Sequence, residues 1–183
     1  MNFRALPPQL GKLDELTCDT LVLTHFADER PLQGLGGLVD WRLNGFYSRL
    51  LLDSRITGAW GELLLYPVPG RLPIKRLLYA GLGDRTKYGS TRFKEITGRL
   101  LSSLGGMGVA SFAMVLPGRE VLKLSPHQMI ELWLAEFQKI YVEPRLFELH
   151  VDVTFLEPAD VQAEIKDQVS QFIRQHAPPR SRG

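Results

Sequence analysis

Cysteine is nearly absent from this chain. Of 183 residues only Cys18 carries a thiol, so no disulfide can form within it. A lone thiol fits a reducing compartment. Long apolar runs are missing too: no stretch reaches the roughly 18 residues of a membrane span, and MNFRALPPQLGK lacks the apolar core of a signal peptide. These absences make a cytoplasmic setting the default. Neither sign of charge dominates, with 22 Lys and Arg against 20 Asp and Glu and a net charge of +2. Such balance argues against a nucleic-acid partner, whose phosphates need a concentrated basic face. Basic residues thicken only in IRQHAPPRSRG, where the prolines and arginines predict a flexible tail over residues 176–183.

Motifs that carry chemistry are equally scarce. His25, His127, His150 and His176 show no zinc spacing, and CxxC does not occur. The GxSxG nucleophile elbow is missing. Cys18 stands just before a strand with no histidine near it in sequence, a packing position rather than an activated thiolate. The carboxylate pair Asp28-Glu29 falls in a polar turn, where solvated charges are expected. Neither GLGDRTKYG nor LGGMGVA fits the GxxxxGKS/T or GxGxxG phosphate loops. No catalytic residue, metal ligand or cofactor is assigned.

What is present suits one soluble globular domain, with hydrophobic residues at 44% and charged residues at 23%. The expectation is a single domain over 1–175. Residues 2–6 predict a short edge strand, and DTLVLTHF, 19–26, a compact apolar one. Leu35, Leu38, Val39, Phe46, Leu50 and Leu51 recur at helical spacing and predict one helix over 36–53, with Gly45 a weak point or close contact in its middle. Strands follow at 61–68 and 75–81, close enough to be neighbours. Phe93, Ile96, Thr97, Leu100, Leu101 and Leu104 line a helix over 90–104, with Gly105-Gly106 as its stop. A buried strand is expected at 109–118. Ser125-Pro126-His127-Gln128 then combines a capping serine, a first-turn proline and a glutamine three residues after the cap. Ile130, Trp133, Leu134, Phe137 and Tyr141 share the face of that helix. The alternation in 148–157 sets Val151, Val153 and Phe155 against His150, Asp152 and Thr154, as in a strand. A last helix runs from 159 to 174. Strands separated by helices imply a three-layer α/β/α domain with a mixed, mostly parallel sheet.

Two glycine-bearing turns stand out. RLLYAGLGDRTKYGS places Gly81-Leu82-Gly83 at a strand end, and Gln33-Gly34-Leu35-Gly36-Gly37-Leu38-Val39-Asp40 opens a helix shortly after a strand. Amides at such a helix start can hold an anion. Asp19, Gly34, Gly36, Gly37 and Asp40 are therefore the candidate ligand-binding residues.

The run from Asp19 to Leu104 resembles the N-terminal domain of the leucyl aminopeptidases of peptidase family M17. The features are the DTLVLTHF strand before a leucine-rich helix, Gly61-Glu62 opening a strand, and Lys75-Arg76-Leu77-Leu78 leading into Gly81-Leu82-Gly83. A helix, a strand, a helix with Ala135-Glu136, a strand and a helix then follow, so the likeness covers about residues 1–175. It implies a macro-domain-like α/β fold, with Gly81-Leu82-Gly83 as a structural turn. In that family a C-terminal domain holds two metal ions and the catalytic residues. Its Asn-Thr-Asp-Ala-Glu-Gly-Arg segment is absent here, as is its metal-binding lysine and aspartate segment, so no catalytic residue carries over. FQKIYVEPRLF after Ala135-Glu136 also departs from the family's glycine-containing continuation. A fainter resemblance links Asp19-Thr20-Leu21-Val22 and Gly34 to Asp40 with ADP-ribose-binding macro domains, though Thr24-His25-Phe26 replaces their asparagines.

Together these readings imply a non-catalytic, stand-alone domain that associates with itself or with a separate protein, with Trp41, Trp60 and Trp133 as candidate anchors. The alternative is a module for ADP-ribose or a related nucleotide. Some bacterial members of the resembled family bind DNA, but the balanced charge here speaks against it. The Met1 start and arginine-rich ending favour a natural short chain.

Overall fold

The computed structural model describes residues 1–68, 70–143 and 150–176. Six strands form one sheet in the order β1-β6-β5-β2-β4-β3. They are β1 (Asn2–Leu6), β2 (Thr20–His25), β3 (Leu63–Pro67), β4 (Arg76–Gly81), β5 (Ser111–Met114) and β6 (Asp152–Leu156). Every neighbouring pair is parallel except β3 and β4. The helices are α1 (Leu10–Asp14), α2 (Gly34–Arg42), α3 (Phe46–Leu52), α4 (Ser90–Gly106), α5 (Pro126–Phe137) and α6 (Ala159–His176).

The sheet separates two apolar cores. Val22, Leu78, Ala80, Phe112 and Phe155 pack with α4, α5 and α6. Leu21, Leu23, Leu77, Tyr79 and Ala113 pack with α1, α2 and α3. This is the expected three-layer α/β/α arrangement. Because β2 is covered on both faces, five of its six residues are buried, the polar Thr20 and His25 among them.

Several elements match their sequence signals. Ser125 forms a reciprocal capping box with Gln128, and Pro126 takes the first turn of α5. Trp133, fully buried, stacks on Phe137 and meets Phe155 edge-on, which removes it as a docking anchor. Beyond α5, Gln138–Val142 continues as a π-helical turn. The part of the predicted strand at 148–149 and the tail at 177–183 lie outside the described residues.

Two expectations are corrected. The helix predicted over 36–53 is two helices. Asn44 N–H bonds to Trp41 O at 3.1 Å and Gly45 N–H to Asp40 O at 2.8 Å, closing α2 with both residues left-handed. The apolar spacing survives because α3 packs against the same core. In addition, α4 extends two residues past the expected 104 and ends at Gly106, with Met107 as its C-cap. Gly105 packs beside Tyr141 of the π-helical turn, and the left-handed glycine after the helix is Gly108.

Gly81-Leu82-Gly83 is a point of backbone contact. Loop residues 57–61 lie on it, with Gly83 N–H bonding Gly58 O at 2.8 Å and Gly61 N–H bonding Gly81 O at 3.1 Å. A Cβ on Gly81 would strike the carbonyl oxygen of Ala59 and come within 2.6 Å of the Gly58 carbonyl carbon. Backbone cannot swing aside as a side chain can. Gly81→Ala should therefore lower the unfolding free energy by about 1–3 kcal/mol in urea denaturation. Gly11→Ala, inside α1 where a Cβ meets nothing within 4 Å, should leave stability unchanged or raise it by up to about 1 kcal/mol. Equal stability of the two variants would refute the close approach.

Candidate functional site

Parallel strands direct their C-terminal ends to one edge of the sheet, where open α/β folds form a crevice. Here it is a cleft of about 280 Å³. Leu23 and Thr24 of β2 form part of its floor. Gly34, Leu35 and Gly36 come from the start of α2, Leu116, Gly118 and Arg119 from the loop after β5, and Glu157 from the end of β6.

The cleft carries its own anions. Glu29 Oε1 accepts the Gln33 amide at 3.1 Å and Oε2 accepts the Phe26 amide at 3.3 Å. This carboxylate thus occupies the approach to the glycine-rich start of α2. It is half-buried, in contrast to the solvated charge expected there, and burial raises its pKa against the pull of both amides. Across the cleft, Glu157 accepts the Leu116 amide at 2.6 Å and pairs with Arg119 Nε at 2.9 Å. Arg85 lines the same opening, lies over the Phe26 ring and faces Asp28 at 3.6 Å.

The five candidate residues do not converge. Asp19 precedes β2, at the opposite end of that strand from the glycine turn. Its carboxylate accepts from Thr20, Arg76 and Lys75, and its main chain accepts the Lys75 and Arg76 amides. Burial opposes its charge, but the Thr20 hydroxyl and the two cations outweigh that and hold its pKa low. Gly34 and Gly36 line the cleft. Gly37 faces away from it and approaches Leu32, whose carbonyl oxygen a Cβ would meet at 2.8 Å. Asp40 caps α3, accepting Ser48 N–H at 2.9 Å and Ser48 Oγ–H at 2.5 Å.

The sequence reading missed Glu29, Arg119 and Glu157 as cleft residues. Their signal was position: charged side chains just beyond the C-terminal ends of parallel strands. The histidines are dispersed. His25 is buried behind the cleft, sharing hydrogen bonds with the Tyr47 and Tyr79 hydroxyls. His127 pairs with Glu164 on the outer helices. Among the described residues no three His, Cys, Asp or Glu side chains group as metal ligands, and no helix is long and apolar enough to cross a membrane. Cys18 is packed in the core, where burial pushes its thiol up to about 11.

Burial, aided by Arg30 and opposed by Glu62, pushes His25 down to about 4. It pushes Glu157 up to about 7, against the Leu116 amide and Arg119. Below its ordinary 6.5, the unfolded chain takes up a histidine proton that the folded chain refuses, so His25 lowers stability as pH falls toward 4. Above its ordinary 4.5, Glu157 keeps a proton when folded that it loses when unfolded, so it lowers stability as pH rises toward 7. The slopes oppose each other where they overlap. Glu157→Gln should unmask the histidine slope, making stability rise more steeply with pH than in the parent between 4.5 and 6.5. The added slope should approach about 1.4 kcal/mol per pH unit in urea denaturation. Parallel profiles for parent and variant would show that Glu157 ionises normally.

Comparison with known proteins places this geometry. Residues 22–136, more than half of the chain, match the family model described as cytosol aminopeptidase family, N-terminal domain. A probable cytosol aminopeptidase of Geobacter sulfurreducens is 30% identical over 96 residues, 52% of this chain and 19% of that protein. One from Pseudomonas syringae is 31% identical over 103 residues, 56% of this chain and 21% of that protein. The matched segments thus span about a fifth of these relatives' length. A Trypanosoma brucei macrodomain solved in complex with ADP-ribose superposes with a TM-score of 0.68 at 17% identity, over 92% of this chain and 69% of that one. Tomato leucine aminopeptidase superposes with a TM-score of 0.56 at 14% identity, over 91% of this chain and 35% of that one. The fold is macrodomain-like, and the chain belongs to the cytosol aminopeptidase family through that family's N-terminal domain.

Proposed function

We propose that this chain is a non-catalytic, cytoplasmic module of its family that acts through protein contacts. The observation that carries the reading is the pair of carboxylates in the cleft. Glu29 and Glu157 line its two sides and already accept the Phe26, Gln33 and Leu116 amides, so an incoming phosphate would meet two acids there. Apolar side chains remain exposed elsewhere. Trp41 is 68% and Leu52 82% accessible, on the neighbouring helices α2 and α3, and both suit a contact with a second copy or a separate protein.

A second reading, ADP-ribose or nucleotide binding, draws on the glycine-rich start of α2 in the cleft and on the likeness to macrodomains solved with ADP and ADP-ribose. Calorimetric titration separates the two. ADP-ribose is expected to give no heat of binding with the full chain. A micromolar dissociation constant would overturn the protein-contact reading and move function to the cleft.

Catalysis by two metal ions needs a clustered ligand set, and the match covers only the family's N-terminal domain. With zinc or manganese added, the purified chain is expected to release nothing from leucine p-nitroanilide above buffer. Metal-dependent release that co-elutes with the chain on chromatography would refute the non-catalytic assignment.

A further inference from the structure

We propose that the open edge of β3 receives an extended, acidic segment of a partner protein as an added strand. The inference rests on the protein-contact reading and names the surface and the chemistry it selects.

The backbone pattern comes first. Gly81 N–H bonds Glu62 O and Val68 N–H bonds Lys75 O, each at 2.9 Å. In an antiparallel ladder, hydrogen-bonded pairs alternate with non-bonded ones. With Leu64 opposite Tyr79 and Tyr66 opposite Leu77, the even-numbered residues therefore face β4. The N–H and C=O groups of Leu63 and Leu65 point the other way. Among the described residues no strand lies beyond β3 to take them. An exposed apolar edge of this kind is a template for another strand.

The side chains supply the apolar part. Leu63 pairs with Ala80 and Leu65 with Leu78, and those two partners belong to the core under α4. Leu63 and Leu65 thus continue that face past the edge of the sheet, 38% and 41% exposed. The end of β3 beside Trp60 and Gly61 supplies the charge. Arg92 of α4 lies over the Trp60 ring at 4.8 Å, and the Arg99 guanidinium rests against Gly61. Neither arginine forms an ion pair among the described residues.

A fitting occupant has small apolar side chains opposite Leu63 and Leu65 and carboxylates at the end beside Gly61. A second copy of β3 fits less well. Antiparallel pairing would set the Pro67 end of one copy, with Lys75 and Arg76 close by, against Arg92 and Arg99 of the other. Pro67 also lies in the outward-facing row and has no N–H to offer.

The test uses fluorescence anisotropy on the full chain. The probes are short labelled peptides alternating valine and threonine, with a pair of aspartates or of lysines at either end. An aspartate peptide is expected to bind about tenfold more tightly than its lysine counterpart, with the difference shrinking as salt rises. Arg99→Glu, a surface change checked for folding by circular dichroism, leaves Arg92 facing one new carboxylate and should erase that ranking. Leu63→Lys with Leu65→Lys should abolish binding by both. Equal binding of aspartate and lysine peptides, or none by either, overturns the proposal. Self-association in light scattering by a chain that ignores the peptides would sink the edge assignment and leave the protein-contact reading standing. ADP-ribose binding by a chain that ignores them would sink both.

Discussion

The contact between the 57–61 loop and Gly81 holds the two halves of this domain in register. Residues that leave α3 on one face of the sheet must turn and re-enter it as β3. They do so by laying backbone on backbone, with Gly58, Gly61 and Glu62 bonded to the end of β4. The Glu62 carboxylate ties the loop to itself through the Thr57 and Gly58 amides. Without that approach β3 could not run antiparallel at the sheet edge, and its leucines would not lie beside the arginines of α4. The glycine pair after β4 is thus a steric requirement of chain reversal.

The cleft sets carboxylates of its own beside a glycine-rich helix start. A glycine-rich helix start offers amides to any anion. This chain meets part of that offer with Glu29, a residue of the same polar turn, and answers the amide after β5 with Glu157. Hydrogen bonds made internally are not available to a ligand unless the carboxylates move or take up protons. The likeness to macrodomains therefore establishes the architecture alone.

Most of the fold was legible in the sequence because period and caps survive in tertiary context. The run from Phe93 to Leu104 and the Ser125-Pro126 start both lie where their spacing puts them. Legibility failed where two elements shared one periodicity. The spacing through residues 36–53 holds across the break at Asn44-Gly45, since both helices face the same core. It failed again at the site, where residues close in sequence were assumed close in space. Asp19 and Gly34 flank a strand six residues long, which separates its ends by roughly 20 Å. Glu157 could join Glu29 only through the parallel order of β6, β5 and β2, and no local pattern encodes that order.

That strand order also has a consequence for synthesis. Among the described residues the first strand, Asn2–Leu6, pairs only with the last, Asp152–Leu156. Arg4 likewise finds Thr154 across 150 residues of sequence. At roughly 5–20 residues per second on the ribosome, β1 waits on the order of ten seconds or more for β6 to be made. In that interval both β1 and the flank of β5 that β6 will cover are open to off-pathway pairing, so this sheet closes only when β6 is made.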